Sequence, residues 1–370
     1  MKQFFQWMNQ DENIRSAGDA FLKPGCHSIY GLSGSVKSAL VAKVLHEGPR
    51  QVVLVVPSRE QAAAWQADLA FLVPNVKILD FPVVDKAVFT TTAKSLDRMA
   101  RQMEALGRLR QGDPVLVLAA PEEAAQYVMA PQRIDDAAID VEIQGEYDRD
   151  DLLQHLVNAG YERVDMVERR GHFSVRGDIV DVFAVNEPQP LRLAFFGDEL
   201  ESIRSFDVDT QKSLNDADRA RILPVSLTTA DDEKYTLLDY VEEGTIIWDE
   251  PNRVREGLKK ILKESDDYKG VLASWKNMVS PERAVPQVVL SLMAQSVPDM
   301  FIDQSFSFAA KMMASFQKQF NLLEEEVGHW RSLGNTIVFV INSKERIASL
   351  KAWMKQHDLA ISDYDDEKKI

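Results

Sequence analysis

Short apolar runs and amphipathic segments alternate along the first third of the chain. Gln51–Val56 and Val115–Ala119 are almost continuously apolar, a pattern typical of parallel strands that are buried on both faces. Further strands are predicted at residues 27–32 and Val76–Val84, and helices at Lys37–His46, Arg59–Leu72 and Thr92–Leu109. Strands and helices in this regular alternation predict an open α/β sheet with right-handed crossovers.

The pattern changes near residue 140. One helix is predicted at Asp150–Asn158, ending near Gly160, and the strands after it follow one another with little helix between them. Leu191–Phe196 and Leu200–Ser205 flank a turn at Gly197-Asp198, so Phe195–Glu199 is interpreted as core and turn. We therefore predict that residues 140–212 form an antiparallel α+β domain inserted into the α/β lobe.

The α/β pattern is predicted to resume at Arg221–Ser226. Residues 268–310 show no clear periodicity of apolar positions, and no element is predicted there. A strand is predicted at Thr245–Trp248, helices at Arg253–Lys263, Phe320–Leu333 and Lys344–His357, and a last strand at Thr336–Asn342. The predicted domains are an α/β lobe at 1–139, the insert at 140–212, the return of the lobe at 213–318 and the start of a further α/β domain at 319–370. Because that last domain holds one strand–helix unit, we expect the chain to be a piece of a longer protein.

Composition restricts the class of protein. The 370 residues carry a net charge of −15, whereas duplex-binding modules usually present a basic face to phosphates. Arg169-Arg170 and Lys259-Lys260 are only pairs, so the charge balance favours a protein partner. No apolar stretch is long enough to cross a membrane, and the single cysteine, Cys26, is interpreted as a buried strand residue in a reducing, cytoplasmic protein.

A phosphate-binding loop is nearly complete at residues 31–38. Gly31, Lys37 and Ser38 have the spacing of G-x-x-x-x-G-K-[ST], in which the lysine reaches phosphate and the hydroxyl binds magnesium. Val36 stands where the motif has glycine, and a β-branched residue resists left-handed backbone angles and fills the space of the phosphate.

A second trace of nucleotide chemistry follows the strand at Thr245–Trp248. Asp249 and Glu250 resemble the acidic strand end that holds magnesium in helicases. We interpret Lys37, Ser38, Asp249 and Glu250 as a vestigial nucleotide site, and predict no catalytic residue, no metal site and no tightly bound ATP in this chain.

Residues 160–213 carry the strongest signal of family. Gly-Tyr-Glu-Arg-Val-Asp at 160–165, Ser-Val-Arg-Gly-Asp at 174–178 and Phe-Phe-Gly-Asp-Glu-Leu-Glu at 195–201 closely resemble the inserted domain of the excision-repair protein UvrB and of the transcription-repair coupling factors. The order of domains resembles the N-terminal region of the coupling factors, with a degenerate RecA-like, UvrB-like lobe around the insert.

The resemblance implies a partner and its contact residues. In this family the insert docks the damage-recognition protein UvrA, and the matching protein-binding positions here are Arg163, Arg176 and Phe183. A further arginine of UvrB is replaced by Ser174. An open alternative for Arg176 is an internal salt bridge to Asp178 or Asp181.

The broken loop and the absence of a tyrosine-rich segment after Val84 favour a coupling factor over UvrB. The implied function is recruitment of UvrA to stalled RNA polymerase in transcription-coupled nucleotide excision repair. ATP, magnesium, RNA polymerase and double-stranded DNA would be bound by regions beyond this chain in an ATP-dependent DNA translocase. The alternative is a UvrB-like ATPase fragment that acts on DNA.

Overall fold

The computed structural model describes residues 1–48, 51–84, 93–225, 234–264, 270–280, 283–310, 320–335, 337–341, 343–357 and 359. Parts of the predicted elements, namely Thr92, Ser226, Thr336 and Asn342, and residues 360–370 of the predicted last domain lie outside the described residues. The strands are β1 (Cys26–Tyr30), β2 (Gln51–Val55), β3 (Lys77–Asp80), β4 (Val115–Ala119), β5 (Ile139–Glu142), β6 (Glu162–Arg163), β7 (His172–Arg176), β8 (Ile179–Val182), β9 (Leu191–Phe196), β10 (Glu199–Phe206), β11 (Ser213–Ala217), β12 (Arg219–Ile222), β13 (Gly244–Asp249), β14 (Gln287–Ser291) and β15 (Gln304–Ser307). The helices are α1 (Lys2–Met8), α2 (Glu12–Ala20), α3 (Ser35–Glu47), α4 (Arg59–Leu72), α5 (Ala93–Gln111), α6 (Pro121–Ala125), α7 (Pro131–Ala137), α8 (Arg149–Asn158), α9 (Pro251–Glu264), α10 (Trp275–Met278), α11 (Phe320–Ser332) and α12 (Lys344–Gln356), with a 3₁₀ turn at Leu237–Tyr240.

A seven-stranded parallel sheet forms the centre of the lobe. Its strand order is β15-β1-β14-β13-β2-β4-β3, and every neighbouring pair runs parallel. All residues of β2, β4, β13 and β14 are buried, because helices cover both faces of a parallel sheet and leave no polar side. The predicted α/β lobe with an inserted, largely antiparallel sheet is confirmed.

Two predictions about the later strands are wrong, and two strands form where no element was predicted. The strands β14 and β15 lie in the region that showed no period, and both join the parallel sheet beside β1. The segment at Arg221–Ser226 does not rejoin that sheet, because β12 pairs antiparallel with β5 in a separate two-stranded ribbon. Residues 337–341 of the last predicted strand have no described strand partner, although Ile337 and Phe339 pack against a small core of α11 and α12.

The insert is built on a six-stranded sheet with the order β11-β10-β9-β8-β7-β6. The described strand pairs are antiparallel except β6 and β7, which run parallel, so the predicted meander is correct for all but its edge. The helix α8 begins after Asp148, whose carboxylate accepts hydrogen bonds from the N–H groups of Asp150 and Asp151. Gly160 follows the end of α8 with φ of 87°, as expected of a residue just beyond a helix C-terminus.

The lobe and the insert share one continuous hydrophobic core that includes Leu106 of α5, Leu223 and Phe173 of β7. A Cβ atom on Gly107 would lie 2.0 Å from Leu223 Cδ1, so glycine allows this close approach. Charged contacts also connect the lobe and the insert. The Glu104 carboxylate of α5, with a side chain only 5% exposed, lies 3.2 Å from Arg170 of the insert. The insert is therefore packed directly onto the lobe.

Candidate functional site

The remnant of the phosphate loop connects β1 to α3. The N–H of Gly31 donates to the carbonyl of Ser291 at 3.1 Å, and a Cβ atom on Gly31 would lie 1.8 Å from the Phe308 carbonyl oxygen. The positive φ values of the loop fall on Gly31 (82°) and Gly34 (56°). Val36 lies inside α3 and is 40% exposed, so it does not adopt the left-handed backbone angles that a β-branched residue resists.

Backbone donors of the loop are engaged within the protein. The N–H of Val36 lies 3.4 Å from the carbonyl of Ser33, and the N–H of Lys37 lies 3.3 Å from the carbonyl of Gly34. In a working phosphate loop, amides at this helix start point at the anion. Here these two amides close the first turn of the helix.

Three of the predicted nucleotide-site residues meet at the carboxyl end of the sheet. Lys37 Nζ lies 2.7 Å from Asp249 Oδ1 and 2.7 Å from Glu250 Oε1. The three side chains, which we term the ion cluster, are 12%, 8% and 18% exposed respectively. The cluster is further tied by Trp65 Nε1, which donates to Asp249 Oδ2 at 2.9 Å, and by the N–H of Leu292, which donates to Glu250 Oε1 at 2.7 Å.

Ser38 is separate from the ion cluster. Its hydroxyl donates to Asp68 Oδ2 of α4 at 2.7 Å, and the residue is buried. The structure therefore brings Lys37, Asp249 and Glu250 together and joins Ser38 to a different helix. Within the described ranges, no group of three or more His, Cys, Asp or Glu side chains has the arrangement of a metal site.

Cys26 opens β1 and is buried, as the sequence predicts. Burial, with a smaller contribution from the Asp303 carboxylate, raises the pKa of the Cys26 thiol to about 12. The thiol is therefore neutral at physiological pH and is a poor nucleophile.

Arg163 lies on β6, the edge strand of the insert, and is exposed. No carboxylate among the described residues pairs with it. Arg176 lies at the end of β7, where one guanidinium nitrogen donates to the carbonyl of Asp165 at 2.8 Å. The two predicted contact arginines therefore lie near one edge of the sheet.

The structure excludes the internal salt bridges considered for Arg176. Asp178 pairs with Arg149 at 2.9 Å. Asp181 accepts two hydrogen bonds from Arg192, at 2.7 and 2.8 Å. Because both carboxylates have other partners, Arg176 keeps an exposed guanidinium that is satisfied only by a backbone oxygen.

The strand register distributes the predicted contact residues over two faces. Arg163 is aligned with Phe173 of the core, whereas Arg176 is three residues further along the same strand, β7. Since side chains alternate along a strand, Arg163 and Arg176 belong to opposite faces. Phe183 is half-buried, follows β8 and bonds through its N–H to the carbonyl of His172, which places it on the face of Arg176. Ser174 on that face is buried.

Phe196 is an exposed aromatic residue that the sequence interpretation missed. The neighbouring Phe195 is 4% exposed and belongs to the core, as expected, but Phe196 is 76% exposed. The two-residue alternation before the Gly197-Asp198 turn is the signal that separates them, because only one of two successive strand residues faces the core.

The insert is similar to a known class of domain. Residues 139–227 match the family model described as the UvrB interaction domain. This range contains the whole six-stranded sheet and the two-stranded ribbon of β5 and β12.

Sequence similarity then extends over most of the chain. The transcription-repair-coupling factor of Bacillus subtilis (strain 168) is 24% identical over 414 residues, covering 92% of this chain and 35% of the relative. The transcription-repair-coupling factor of Staphylococcus aureus (strain bovine RF122 / ET3-1) is 22% identical over 404 residues, covering 89% and 34%. The chain is thus similar to the N-terminal region of the transcription-repair coupling factors, and spans about a third of the length of the curated relatives it matches.

No helix in the described part of the chain is long and apolar enough to cross a membrane.

Proposed function

We propose that this chain is the UvrA-docking module of a transcription-repair coupling factor. The observation that carries the proposal is the match of residues 139–227 to the UvrB interaction domain, supported by two exposed arginines in that range whose guanidinium groups have no carboxylate partner among the described residues. A planar guanidinium pairs bidentately with carboxylates and suits a protein interface. In this proposal Arg163 and Arg176 bind acidic groups of UvrA, and Phe183, further along the face that carries Arg176, contacts an apolar group of UvrA.

The longer protein would recruit UvrA to stalled RNA polymerase in transcription-coupled nucleotide excision repair. Its contacts with RNA polymerase and double-stranded DNA, and its ATP-driven translocation, would belong to regions beyond this chain. The relatives on which this extension rests are about three times as long as the stretch they share with this chain.

We further propose that the lobe neither binds nor hydrolyses ATP. The ion cluster supports this, because Lys37 is neutralised by the two carboxylates that would otherwise hold magnesium. The engaged amides of Val36 and Lys37 point to the same conclusion. The residues present therefore do not fit a magnesium nucleotide, and the lobe serves as the scaffold of the insert.

Calorimetric titration of purified UvrA into the chain tests the docking role. We expect binding by the wild type and its loss in Arg163→Glu/Arg176→Glu. The matched control is Arg253→Glu/Lys263→Glu, which makes the same change of charge at two exposed positions of α9 and is expected to bind like the wild type. Equal weakening by both double variants would mean that only net charge matters, and unaltered binding by the first would move the site elsewhere.

The nucleotide proposal has a separate test. Titration with ATP and magnesium up to millimolar concentrations is expected to give no heat of binding with either the wild type or Lys37→Ala. Binding by the wild type that disappears in Lys37→Ala would refute the proposal and restore the ATPase alternative.

A further inference from the structure

Phe196 is a large aromatic side chain on the face of the insert's sheet that carries Arg176. It is the last residue of β9 and is 76% exposed. The side chains of Leu193 and Phe195 on the same strand are buried in the core. Exposed aromatic residues that are rigidly held on a strand are preferred anchors of protein interfaces.

The strand register shows what surrounds Phe196. Arg176 is opposite Ile179, and Ile179 is opposite Ala194. Phe196 is opposite Glu199 and lies two residues beyond Ala194 on the same face. Directly opposed residues share a face of a sheet. The side chains of Arg176, Ile179, Ala194, Phe196 and Glu199 therefore form one connected strip on this face, which we term the outer row. It has a cation at one end, an apolar centre and a carboxylate at the other end.

The charged ends of the outer row lack ionic partners among the described residues. Arg176 bonds only to the carbonyl of Asp165, since Asp178 and Asp181 are engaged by other arginines. Glu199 is exposed and makes no ion pair with the described residues. The row is therefore open at its centre and unneutralised at both ends.

The outer row is also held in place. The Phe195 N–H next to Phe196 donates to the carbonyl of Asp178 at 2.8 Å, and the Tyr147 N–H donates to the carbonyl of Asp198 at 2.8 Å. These bonds fix the β7–β8 and β9–β10 turns at one end of the sheet. A rigid platform loses little entropy when a partner covers it.

We infer that Phe196 is the central anchor of the surface that docks UvrA, with the charged ends of the outer row fixing the orientation of the bound partner. The ring enters an apolar recess of UvrA, a carboxylate of UvrA faces Arg176, and a cation of UvrA faces Glu199. This inference rests on the proposed docking function, and Phe196 lies within the range that matches the UvrB interaction domain. The opposite signs at the two ends would disfavour a reversed partner, because like charges would then meet.

The decisive experiment compares two exposed phenylalanines. Phe196→Ala is tested beside Phe301→Ala, since Phe301 is 78% exposed but lies in the lobe. Calorimetric titration with purified UvrA is expected to show about 30-fold weaker binding for Phe196→Ala, which is about 2 kcal/mol and the usual threshold of an interface anchor. Phe301→Ala is expected to bind like the wild type, Phe196→Tyr to retain most of the affinity, and all variants to keep the thermal midpoint of the wild type.

The possible outcomes distinguish a failure of the Phe196 anchor from a failure of the docking function. If Phe196→Ala binds UvrA like the wild type while Arg163→Glu/Arg176→Glu does not bind, the docking role holds and the anchor is refuted. If the wild-type chain does not bind UvrA, the docking role and the anchor fail together. Charge reversal at the other end gives an independent check: Glu199→Lys is expected to weaken binding, and tighter binding would overturn the proposed orientation.

Discussion

Removal of the Lys37 charge is expected to destabilise the lobe strongly. Lys37→Met keeps most of the side-chain volume but leaves the carboxylates of Asp249 and Glu250 without their cation. Removing one member of a buried ion pair costs about 3–5 kcal/mol. The exposed fractions of 8% and 18% for the two carboxylates, and their remaining bonds to Trp65 Nε1 and the Leu292 N–H, reduce the expected loss to about 2–4 kcal/mol.

The free energy of unfolding is measured by urea titration at pH 7.5, followed by circular dichroism and by tryptophan fluorescence. Lys43→Met on the same helix is the control: the Lys43 side chain is also buried, at 5% exposed, but the carboxylate that it leaves behind, Glu47, is 38% exposed and can be hydrated, so a loss below about 1 kcal/mol is expected. The triple variant Lys37→Met/Asp249→Asn/Glu250→Gln, which removes the stranded charges, is expected to recover at least half of the loss. If Lys37→Met costs no more than Lys43→Met, the ion cluster does not stabilise the lobe and the reasoning is wrong.

Three further outcomes are expected. The Cys26 thiol, whose pKa is raised by burial to about 12, should not react with Ellman's reagent at pH 8 in the folded protein but should react in urea; fast reaction when folded would contradict the burial. Burial and the neighbouring Arg169 lower the pKa of His172 from 6.5, so the folded state resists its protonation. The free energy of unfolding of the wild type should therefore fall, relative to that of His172→Gln, as the pH drops below 6.5; a constant difference between the two would count against this. Gly31→Ala should cost about 3 kcal/mol or more in a urea titration, because φ of 82° and the Phe308 carbonyl oxygen at 1.8 Å leave no place for a Cβ atom; a loss below about 1 kcal/mol would refute that reasoning.

Buried strands of the lobe were predictable because their physical signal is local. Gln51–Val55 and Val115–Ala119 are covered on both faces, so they must be apolar throughout and are visible in the sequence. The edge strand Gln304–Ser307 has three exposed residues and needs no apolar run, so nothing in its composition distinguishes it from a loop. Strand β14 does contain Val-Val-Leu, but it is short and lies in a region that is otherwise irregular.

The candidate sites show the same division between local and distant information. Lys37 and Asp249 could each be singled out from short motifs. Their direct ion pair depends on the strand order that leaves only β14 between β1 and β13, and local sequence does not determine strand order. The partner of Arg176 could not be deduced either, because Asp178 and Asp181 are nearer in sequence than the Asp165 carbonyl that it contacts. The exposure of Phe196 could have been predicted, because side-chain alternation along a strand places one of two adjacent phenylalanines outside the core.

The shared core of lobe and insert, reinforced by Glu104 and Arg170, has a mechanical consequence for the proposed recruitment. A domain on a flexible tether raises only the local concentration of what it captures. An insert that is fused to its lobe through common packing behaves as a rigid arm and also sets the direction in which its cargo points. A partner bound to the insert would therefore have a fixed orientation relative to the lobe. Fewer relative orientations would then have to be sampled before that partner contacts its own target.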